Sequence, residues 1–582
     1  MMNFKHTLGI AAAFGMPLLL GACAQTPAET PAIAQPAAVP AEPEKRPLKP
    51  FPEDSFYDLL VAEFAIRRQH YDLALDHYME QAYRTNDSGI IATAARLSQF
   101  VNNLEAALAA TELWLQKEPD SAEAHFIRGT TLARARRPLD ALPHMEAVIG
   151  SSEDSNFASL AASALALSEN QQKAFETQIR AMLAKHPDNT NLKTGVALTL
   201  QYRNQEEEAL LLIREVLAVA PLDIHALLIE TRVLQQLNRI DEAIERLRFA
   251  VDQHPYHKRL RQNLAQLYTR SDIFQAKAQY MVLHNQFPED SAIQLALALV
   301  NREIGEYDEA IALLKNLRTD AEQKNHALYF LGRIAEQREQ WSQAREYYGQ
   351  VGIGEQLIPA LTRLAALDNE HQGLASARRT LTEARQRFPQ LRTQLYLAES
   401  DLLFDQRQYK EGYNLLTSAL DNDPSNTNLL YARSLFSERQ RNLDLMERDL
   451  RVILSNDPDN ATALNALGYS LANLTDRLTE AKSLISKALQ LRPDDPAIQD
   501  SYGWVAYRLG DMTLARTYLE RAYAQTQDHE IAAHLGEVLW LLGEQQQAIS
   551  VWQTGLRDTP DSLIINETLQ RLNVNLPTAE QP

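Results

Sequence analysis

The stretch DHEIAAHLGEVLW, residues 528–540, contains the residue types of a zinc site, namely His529, Glu530 and His534. The metal-binding helix of zinc proteases has the pattern H-E-x-x-H, because histidines four residues apart are separated by only about 40° around a helix and can share one ion. Here the histidines are five residues apart, which separates them by about 140°. A regular helix cannot bring both to one ion, so we predict no metal site and place both histidines on the repeat surface.

Other motifs that carry chemistry are missing from the sequence. It contains no P-loop, no Rossmann glycine pattern and no G-x-S-x-G turn. The three glycines of YYGQVGIGEQLIPA, residues 347–360, follow no predicted strand and lack the P-loop lysine, so they predict a longer turn or a hinge. We therefore predict a protein that is not an enzyme, has no cofactor and takes no small-molecule substrate.

The composition favours helices and gives no support for a nucleic-acid partner. The formal net charge is −19, and no basic stretch stands out against this acidic background. Ala, Leu, Gln, Glu and Arg are abundant, which is typical of helical proteins. The single cysteine excludes an intramolecular disulfide, so packing must hold the folded part together.

Prolines and alanines recur with a period close to 34 residues from about residue 55 onward. The prolines are Pro119, Pro187, Pro221, Pro255, Pro288, Pro389, Pro424, Pro458, Pro493 and Pro560. The alanines are Ala209, Ala243, Ala276, Ala310, Ala344, Ala377, Ala481, Ala515 and Ala548. Small residues allow two helices to cross closely, and proline ends the second helix of a pair. The sequence therefore predicts an all-α solenoid of tetratricopeptide (TPR) repeats, a right-handed superhelix of antiparallel helix pairs.

The period divides the chain into about 15 helix pairs. Their expected starts are residues 55, 88, 122, 156, 190, 224, 257, 291, 325, 358, 393, 427, 461, 496 and 529. We assign residues 54–561 to the array and residues 562–582 to a capping helix and tail. The pairs near 156 and 427 lack some of the small residues and are the weakest.

The first residues have the pattern of a lipoprotein leader. A lysine near the start and an apolar stretch precede Leu20-Gly21-Ala22-Cys23, which resembles the lipobox of bacterial lipoproteins. Residues 1–22 are then a signal peptide, and Cys23 is the lipidated residue; a plain secretory leader with an incidental cysteine is the alternative. Residues 23–53 are rich in proline and alanine and predict a tether. Ala24 favours the outer membrane, with the protein on its periplasmic face.

The last three repeats offer a candidate surface for protein partners. Stacked repeats line their concave wall with the first helix of each pair, and Trp, Tyr and Arg are the usual anchors of protein interfaces. The partner-binding residues that we predict are Asn465, Tyr469, Trp504, Tyr507, Arg508 and Trp540. Four further positions, Asn473, Asp500, Glu537 and Leu541, are expected on the same face. The alternative is that a tightly wound array buries these aromatic rings against adjacent turns.

The first and last repeats resemble those of a known group of proteins. FYDLLVAEFAIRRQHYDLALDHYMEQAYRTND at the start, and LNALGYSLANLTDRLTEA, DSYGWVAYRLG and HEIAAHLGEVLWLLGE at the end, are similar to proteobacterial TPR lipoproteins. Among these, the resemblance is to the lipoprotein adaptor of a periplasmic carboxyl-terminal processing protease. It implies a non-catalytic protein that binds the protease and presents substrates such as cell-wall hydrolases. The alternative is an assembly scaffold for an outer-membrane, pilus or polysaccharide-export machine.

The leader generates a direct prediction about membrane attachment. Cys23→Ala removes the thiol that would carry the lipid, and the Pro/Ala tether contains no amphipathic helix that could replace it. We expect the variant to accumulate as unprocessed or soluble periplasmic protein, whereas Ala24→Ser, the control, should stay with the membranes. Cell fractionation with immunoblotting measures this. Normal membrane association of the Cys23 variant would contradict lipidation.

Overall fold

The computed structural model describes residues 52–151 and 156–576. These residues form 31 α-helices and three short 3-10 helices, and no strand occurs among them. The prediction of an all-α repeat solenoid is confirmed. The predicted signal peptide, Cys23 and the tether as far as residue 51 lie outside the described residues, as do residues 577–582. None of the described helices combines the length and the apolar character needed to cross a membrane.

The chain divides into two compact units, residues 1–155 and 156–582, and both are built from antiparallel helix pairs. The first unit contains α1 (Ser55–Arg67), α2 (Tyr71–Thr85), α3 (Ser88–Phe100), α4 (Leu104–Lys117), α5 (Ala122–Arg134) and α6 (Pro138–Val148). The odd-numbered helix of each pair is called the first helix and the even-numbered one the second helix.

The second unit begins with a short first helix and continues with regular pairs. Its first six pairs are α7 (Phe157–Ser163), α8 (Glu169–Lys185), α9 (Thr190–Tyr202), α10 (Glu206–Val219), α11 (Ile224–Gln236), α12 (Ile240–Gln253), α13 (Lys258–Ser271), α14 (Ile273–Gln286), α15 (Ser291–Glu303), α16 (Tyr307–Asn316), α17 (Lys324–Gln337) and α18 (Trp341–Gly349). The helices that follow are α19 (Leu357–Gln372), α20 (Leu374–Arg387), α21 (Arg392–Asp405), α22 (Tyr409–Leu420), α23 (Thr427–Arg439), α24 (Leu443–Asn456), α25 (Ala461–Leu474), α26 (Leu478–Leu491), α27 (Pro496–Arg508), α28 (Met512–Gln525), α29 (His529–Leu541), α30 (Gln545–Asp558) and α31 (Leu563–Leu572). The 3-10 helices are Ala164–Ala166, Leu317–Thr319 and Pro389–Leu391.

Every described first helix begins within one residue of the start that the 34-residue period indicates. The short α7, which is continued only by a 3-10 turn, falls where the sequence pattern is weakest. The glycine-rich stretch between α18 and α19 is a turn, and the Asn325 side chain of α17 fixes it. Asn325 donates to the Ile353 carbonyl at 3.0 Å and accepts from the Gly352 amide at 2.8 Å.

The two helices of a repeat cross where their side chains are smallest. All nine alanines of the period lie on second helices and are fully buried. On the first helices the matching residues in the last three repeats are glycines. A Cβ added at Gly503 would lie 2.7 Å from Leu519 Cγ and 3.1 Å from the Ala515 carbonyl oxygen, so no larger residue fits without movement. These crossings fix the distance between the helices and with it the geometry of each repeat.

The closest crossing predicts a stability effect. A Cβ at Gly536 would overlap the indole of Trp552, which is rigid and completely buried. Gly536→Ala should therefore destabilise the C-terminal repeats by about 1–3 kcal/mol. Urea unfolding followed by tryptophan fluorescence tests this, because Trp504, Trp540 and Trp552 all lie in those repeats.

Gly349→Ala is the matched control for this substitution. Gly349 ends α18, and an added Cβ there meets nothing within 4 Å among the described atoms. We expect its unfolding midpoint to equal that of the wild type or to exceed it slightly, because alanine favours helix. Equal midpoints for the two variants would contradict the assigned crossing.

Candidate partner-binding face

The first helices α25, α27 and α29 form the face that the sequence analysis selects. Each begins at a capping side chain that accepts a hydrogen bond from the first helical turn. Asn460 accepts from the Ala463 amide at 3.0 Å, Asp495 from the Ala497 amide at 3.0 Å and Asp528 from the Glu530 amide at 2.7 Å. These caps satisfy backbone donors that otherwise have no partner and set where each helix starts. The three helices therefore present equivalent positions side by side.

One contact shows that this face is concave. The Tyr469 hydroxyl of α25 lies 3.4 Å from Nε2 of His534 in α29, although a complete repeat separates the two helices in sequence. First helices that are two repeats apart meet only if the stack curves toward them. The inner face of these repeats is therefore tightly wound.

A buried ion pair stands at the centre of the face. His534 Nδ1 lies 3.0 Å from each carboxylate oxygen of Asp500, and both residues are buried. An anionic carboxylate only accepts hydrogen bonds, so Nδ1 of His534 carries a proton and donates it to Asp500. The other ring nitrogen, Nε2, faces the Tyr469 hydroxyl. Burial alone would lower the pKa of His534, but the charge and hydrogen bond of Asp500, together with Glu530 and Glu537, raise it overall.

His534 also organises the aromatic side chains. The Trp504 ring stacks on the imidazole with centroids 4.1 Å apart, and the Tyr507 ring lies 4.9 Å from Trp504. Trp504 is only 7% exposed, and its Nε1 has no hydrogen-bond partner within the described chain. The expectation of an open Trp504 is wrong, because the curvature that brings Tyr469 to His534 also covers this ring. The alternative expectation of burial holds for Trp504.

A second buried charge lies on the same helix, about one turn after His534. The Glu537 carboxylate is fully buried and accepts from both Nη atoms of Arg571 in α31, each at 2.6 Å. It also accepts from the Tyr507 hydroxyl at 2.7 Å. Burial raises the pKa of Tyr507 most, and the hydrogen bond to Glu537 raises it further, to about 12. The helix that caps the array thus closes this network and fixes the Tyr507 ring.

The six predicted partner-binding residues divide into three groups. Tyr469, Trp504 and Tyr507 come together through His534. Asn465 lies one turn before Tyr469, and its buried Oδ1 finds no donor among residues 52–151 and 156–576. Arg508 and Trp540 point elsewhere.

The Arg508 guanidinium donates to the Ala472 carbonyl at the end of α25. The Trp540 ring lies 5.9 Å from Trp552 on the second helix α30. Neither side chain joins the aromatic group around His534.

The roles of His534 and Arg571 were not predicted from the sequence. The placement of His534 on the repeat surface is wrong, since only 3% of it is exposed. A signal was present: Asp500 and His534 are 34 residues apart, and so are Glu537 and Arg571. Asp500 and His534 are the fifth and sixth residues of α27 and α29, and Glu537 and Arg571 are both the ninth residue of α29 and α31. Complementary charges about one period apart therefore lie at equal or neighbouring positions on adjacent helices and indicate a pair.

Comparison with known proteins agrees with this architecture. Residues 93–156, 295–353 and 501–562 match the tetratricopeptide repeat family, and residues 166–294 match the N-terminal TPR repeats region of Psidin. The TPR repeat-containing protein PA4667 of Pseudomonas aeruginosa is 38% identical over 530 residues, which are 89% of each chain. The chain belongs to the tetratricopeptide repeat family.

Two further similarities are more distant. Bacteriophage adsorption protein A of Escherichia coli is 31% identical over 105 residues, which are 18% of this chain and 10% of that protein. Among solved structures, yeast Tom70 matches 89% of this chain and 99% of its own with a TM-score of 0.32 and 13% identity.

The buried pair predicts a pH dependence for α27 and α29. A histidine whose pKa is raised on folding stabilises the fold fully below its unfolded pKa of about 6.5, and this contribution is lost as the pH rises through the folded pKa. Amide protection in α29, corrected for intrinsic exchange, should therefore decrease as the pH rises above about 6.5. In Asp500→Asn the decrease should largely disappear, and protection near pH 6 should fall by about 1–3 kcal/mol. Hydrogen–deuterium exchange of the full chain measures both.

Asp494→Asn is the control for the same chemical change. Asp494 lies in the exposed turn before α27 and pairs with Arg521 at 2.6 Å on the surface. We expect this variant to keep the wild-type pH dependence, because exposed pairs contribute little. If Asp500→Asn also keeps it, the His534 pair is not its source.

Proposed function

We propose that this protein is a non-catalytic adaptor that holds a carboxyl-terminal processing protease and its protein substrates together. Two observations support this proposal. The chain is a TPR protein, a scaffold suited to binding other proteins, and its terminal repeats resemble the protease-adaptor lipoproteins. The observation that carries the proposal is that each unit offers a candidate surface, and the two surfaces differ in chemistry.

The surface of the first unit is apolar. Helix α1 packs inward through buried Ala62 and Ala65 and turns Phe56, Leu60 and Phe64 outward. These three side chains recur every four residues, so they share one helix face, and they are 73%, 43% and 52% exposed. A contiguous row of large exposed apolar side chains indicates a protein interface. We assign it to the protease, since a stable contact with a folded enzyme uses an apolar core.

The surface of the second unit is the inner wall of first helices. It is polar and aromatic, and its buried ion pairs keep its side chains in place. We assign it to the substrate, because groups that hydrogen-bond without a large apolar contact suit a polypeptide that must be released again. One chain that binds both partners converts their weak encounter into a high local concentration.

The membrane attachment belongs to the same proposal. With Cys23 lipidated, the adaptor would act at the periplasmic face of the outer membrane, and the Pro/Ala tether would give it reach. Cell-wall hydrolases, which work between the membrane and the wall, are then substrates within range. The lipid and the tether restrict where the complex forms.

The test is a degradation time course with purified protease and a wall hydrolase, with and without this protein. We expect no hydrolysis by this protein alone and faster cleavage when it is added. Phe56→Ser/Leu60→Ser/Phe64→Ser should abolish protease binding and leave substrate binding intact. Tyr507→Ala should weaken substrate binding by about 30-fold, equivalent to roughly 2 kcal/mol. Trp504 is left in place, because removing a buried tryptophan costs about 3–5 kcal/mol of stability.

Leu211→Ser/Val219→Ser is the matched control for the α1 variant. Both residues lie on second helix α10 and are 66% and 76% exposed, so the change removes exposed apolar side chains from another place. It should bind both partners normally. If the wild-type protein neither binds the two components nor accelerates cleavage, the adaptor proposal fails. Co-purification with a secretin, a barrel protein or a polysaccharide synthase would then support the assembly scaffold.

A further inference from the structure

Two histidines face each other in the third helix pair of the first unit. His125 of α5 and His144 of α6 have their Nδ1 atoms 2.8 Å apart, and their ring centroids are separated by 5.0 Å. The two imidazoles therefore meet edge to edge through a hydrogen bond and do not stack. Such a contact needs a proton on one nitrogen and a free lone pair on the other.

The second ring nitrogen of His125 decides which imidazole donates. Nε2 of His125 lies 2.8 Å from the Pro119 carbonyl oxygen, which can only accept, so this nitrogen carries a proton. In neutral His125 the Nδ1 atom is then an acceptor, and Nδ1 of His144 donates to it. If one ring gains a proton, the other can still accept, because a neutral imidazole can carry its proton on Nε2 instead. If both rings are charged, two N–H groups point at each other and the hydrogen bond is lost.

The surroundings of His144 oppose the second proton. Burial lowers the pKa of His144 most, the charges of His125 and Arg128 lower it further, and Asp140 raises it, with a result of about 4. Arg128 of α5 also pairs with Glu112 of α4 at 3.5 Å, so part of its charge is compensated. In the unfolded chain both histidines take up a proton near pH 6.5. Between about pH 6.5 and pH 4 the folded pair therefore binds one proton fewer than the unfolded chain.

The two histidines lie where α5 and α6 approach each other closely. A Cβ added at Gly129 of α5 would lie 2.7 Å from Met145 Sδ and 3.5 Å from His144 Cβ. The crossing therefore leaves no free space beside the pair. Two charged rings can move apart only if the helices separate.

Helix α6 has the weakest structure of its own among the second helices of the first unit. It has 11 residues, whereas α2 and α4 have 15 and 14. Pro143 lies inside α6 and has no amide proton, so it cannot donate to the helix directly before His144. The helix is also the last of the first unit and packs against α5 there. Its position in the unit therefore depends on its contact with α5.

We propose that the His125–His144 contact is an acid-sensitive switch, which holds α6 against α5 at neutral pH and releases α6 when both imidazoles are protonated. Release uncovers the apolar face of α6, where Leu142, Met145 and Val148 are buried in the folded unit. The first unit then gains an apolar surface in acid. The inference does not depend on the proposed function, because it concerns neither α1 nor the inner wall of the second unit.

The sign of the pH effect follows from the proton count. A histidine whose pKa is lowered on folding leaves stability unchanged above its unfolded pKa, and stability is lost as the pH falls below that value. Amide protection in α6, corrected for intrinsic exchange, should be constant above about pH 6.5 and fall about tenfold for each pH unit between about pH 6 and pH 4.5, because release takes up one proton. Hydrogen–deuterium exchange of the purified full chain measures this, with α4 as the internal reference.

His144→Gln separates the charge from the contact. The glutamine amide donates to a neutral His125 and accepts from a charged one, so the contact persists in both states. We expect a nearly flat profile of α6 protection relative to α4 between about pH 7.5 and pH 4.5. His70→Gln is the control, since it replaces an exposed histidine directly before α2 in the same unit and should keep the wild-type decrease.

Three outcomes would overturn the switch. They are constant protection of α6 in the wild type, a decrease in His144→Gln as steep as in the wild type, and loss of the decrease in His70→Gln. If His144→Gln leaves α6 unprotected even at pH 7.5, His125→Gln takes its place, because the same amide then faces His144. A slope smaller than that of the wild type supports the switch in this variant, and an equal slope contradicts it.

Discussion

The close crossing of two helices at alanine and glycine is the constraint on which the rest of the structure depends. Because Ala515 and Gly503 leave no space for a larger side chain, α27 and α28 have one separation and one relative position. Repeating this crossing every 34 residues places the same positions of successive first helices side by side. The pairs Asp500–His534 and Glu537–Arg571 are direct consequences, since each joins residues one period apart. The repeat geometry thus turns a spacing in sequence into a contact in space.

These buried pairs contribute more to arrangement than to stability. Desolvation of two charges offsets much of their attraction, so a buried ion pair is weak support for stability. Removing one partner is nevertheless unfavourable, because the other charge then stays buried alone. Each pair therefore allows one relative position of neighbouring helices and excludes alternatives. For a binding wall this matters, since a rigid surface loses little conformational entropy when a partner binds.

The fold could be predicted from the sequence because the residues that define the repeat lie within a single helix pair. Ala209 and Ala243, for example, indicate a crossing within each repeat without any knowledge of distant contacts. The exposure of Trp504 was not predictable in this way, because it depends on a contact between α25 and α29 that only the curvature of the stack creates. Features within one repeat could be predicted, whereas contacts that depend on the curvature of several repeats could not.

We propose that substrates bind the wall of first helices in the second unit. Hydrogen–deuterium exchange of the full protein, with and without a saturating wall hydrolase that the protease degrades, tests it most directly. We expect bound substrate to protect amides of α25, α27 and α29, while the second helices α26 and α28 exchange as before. Protection confined to the second helices, or to α1, would contradict the claim.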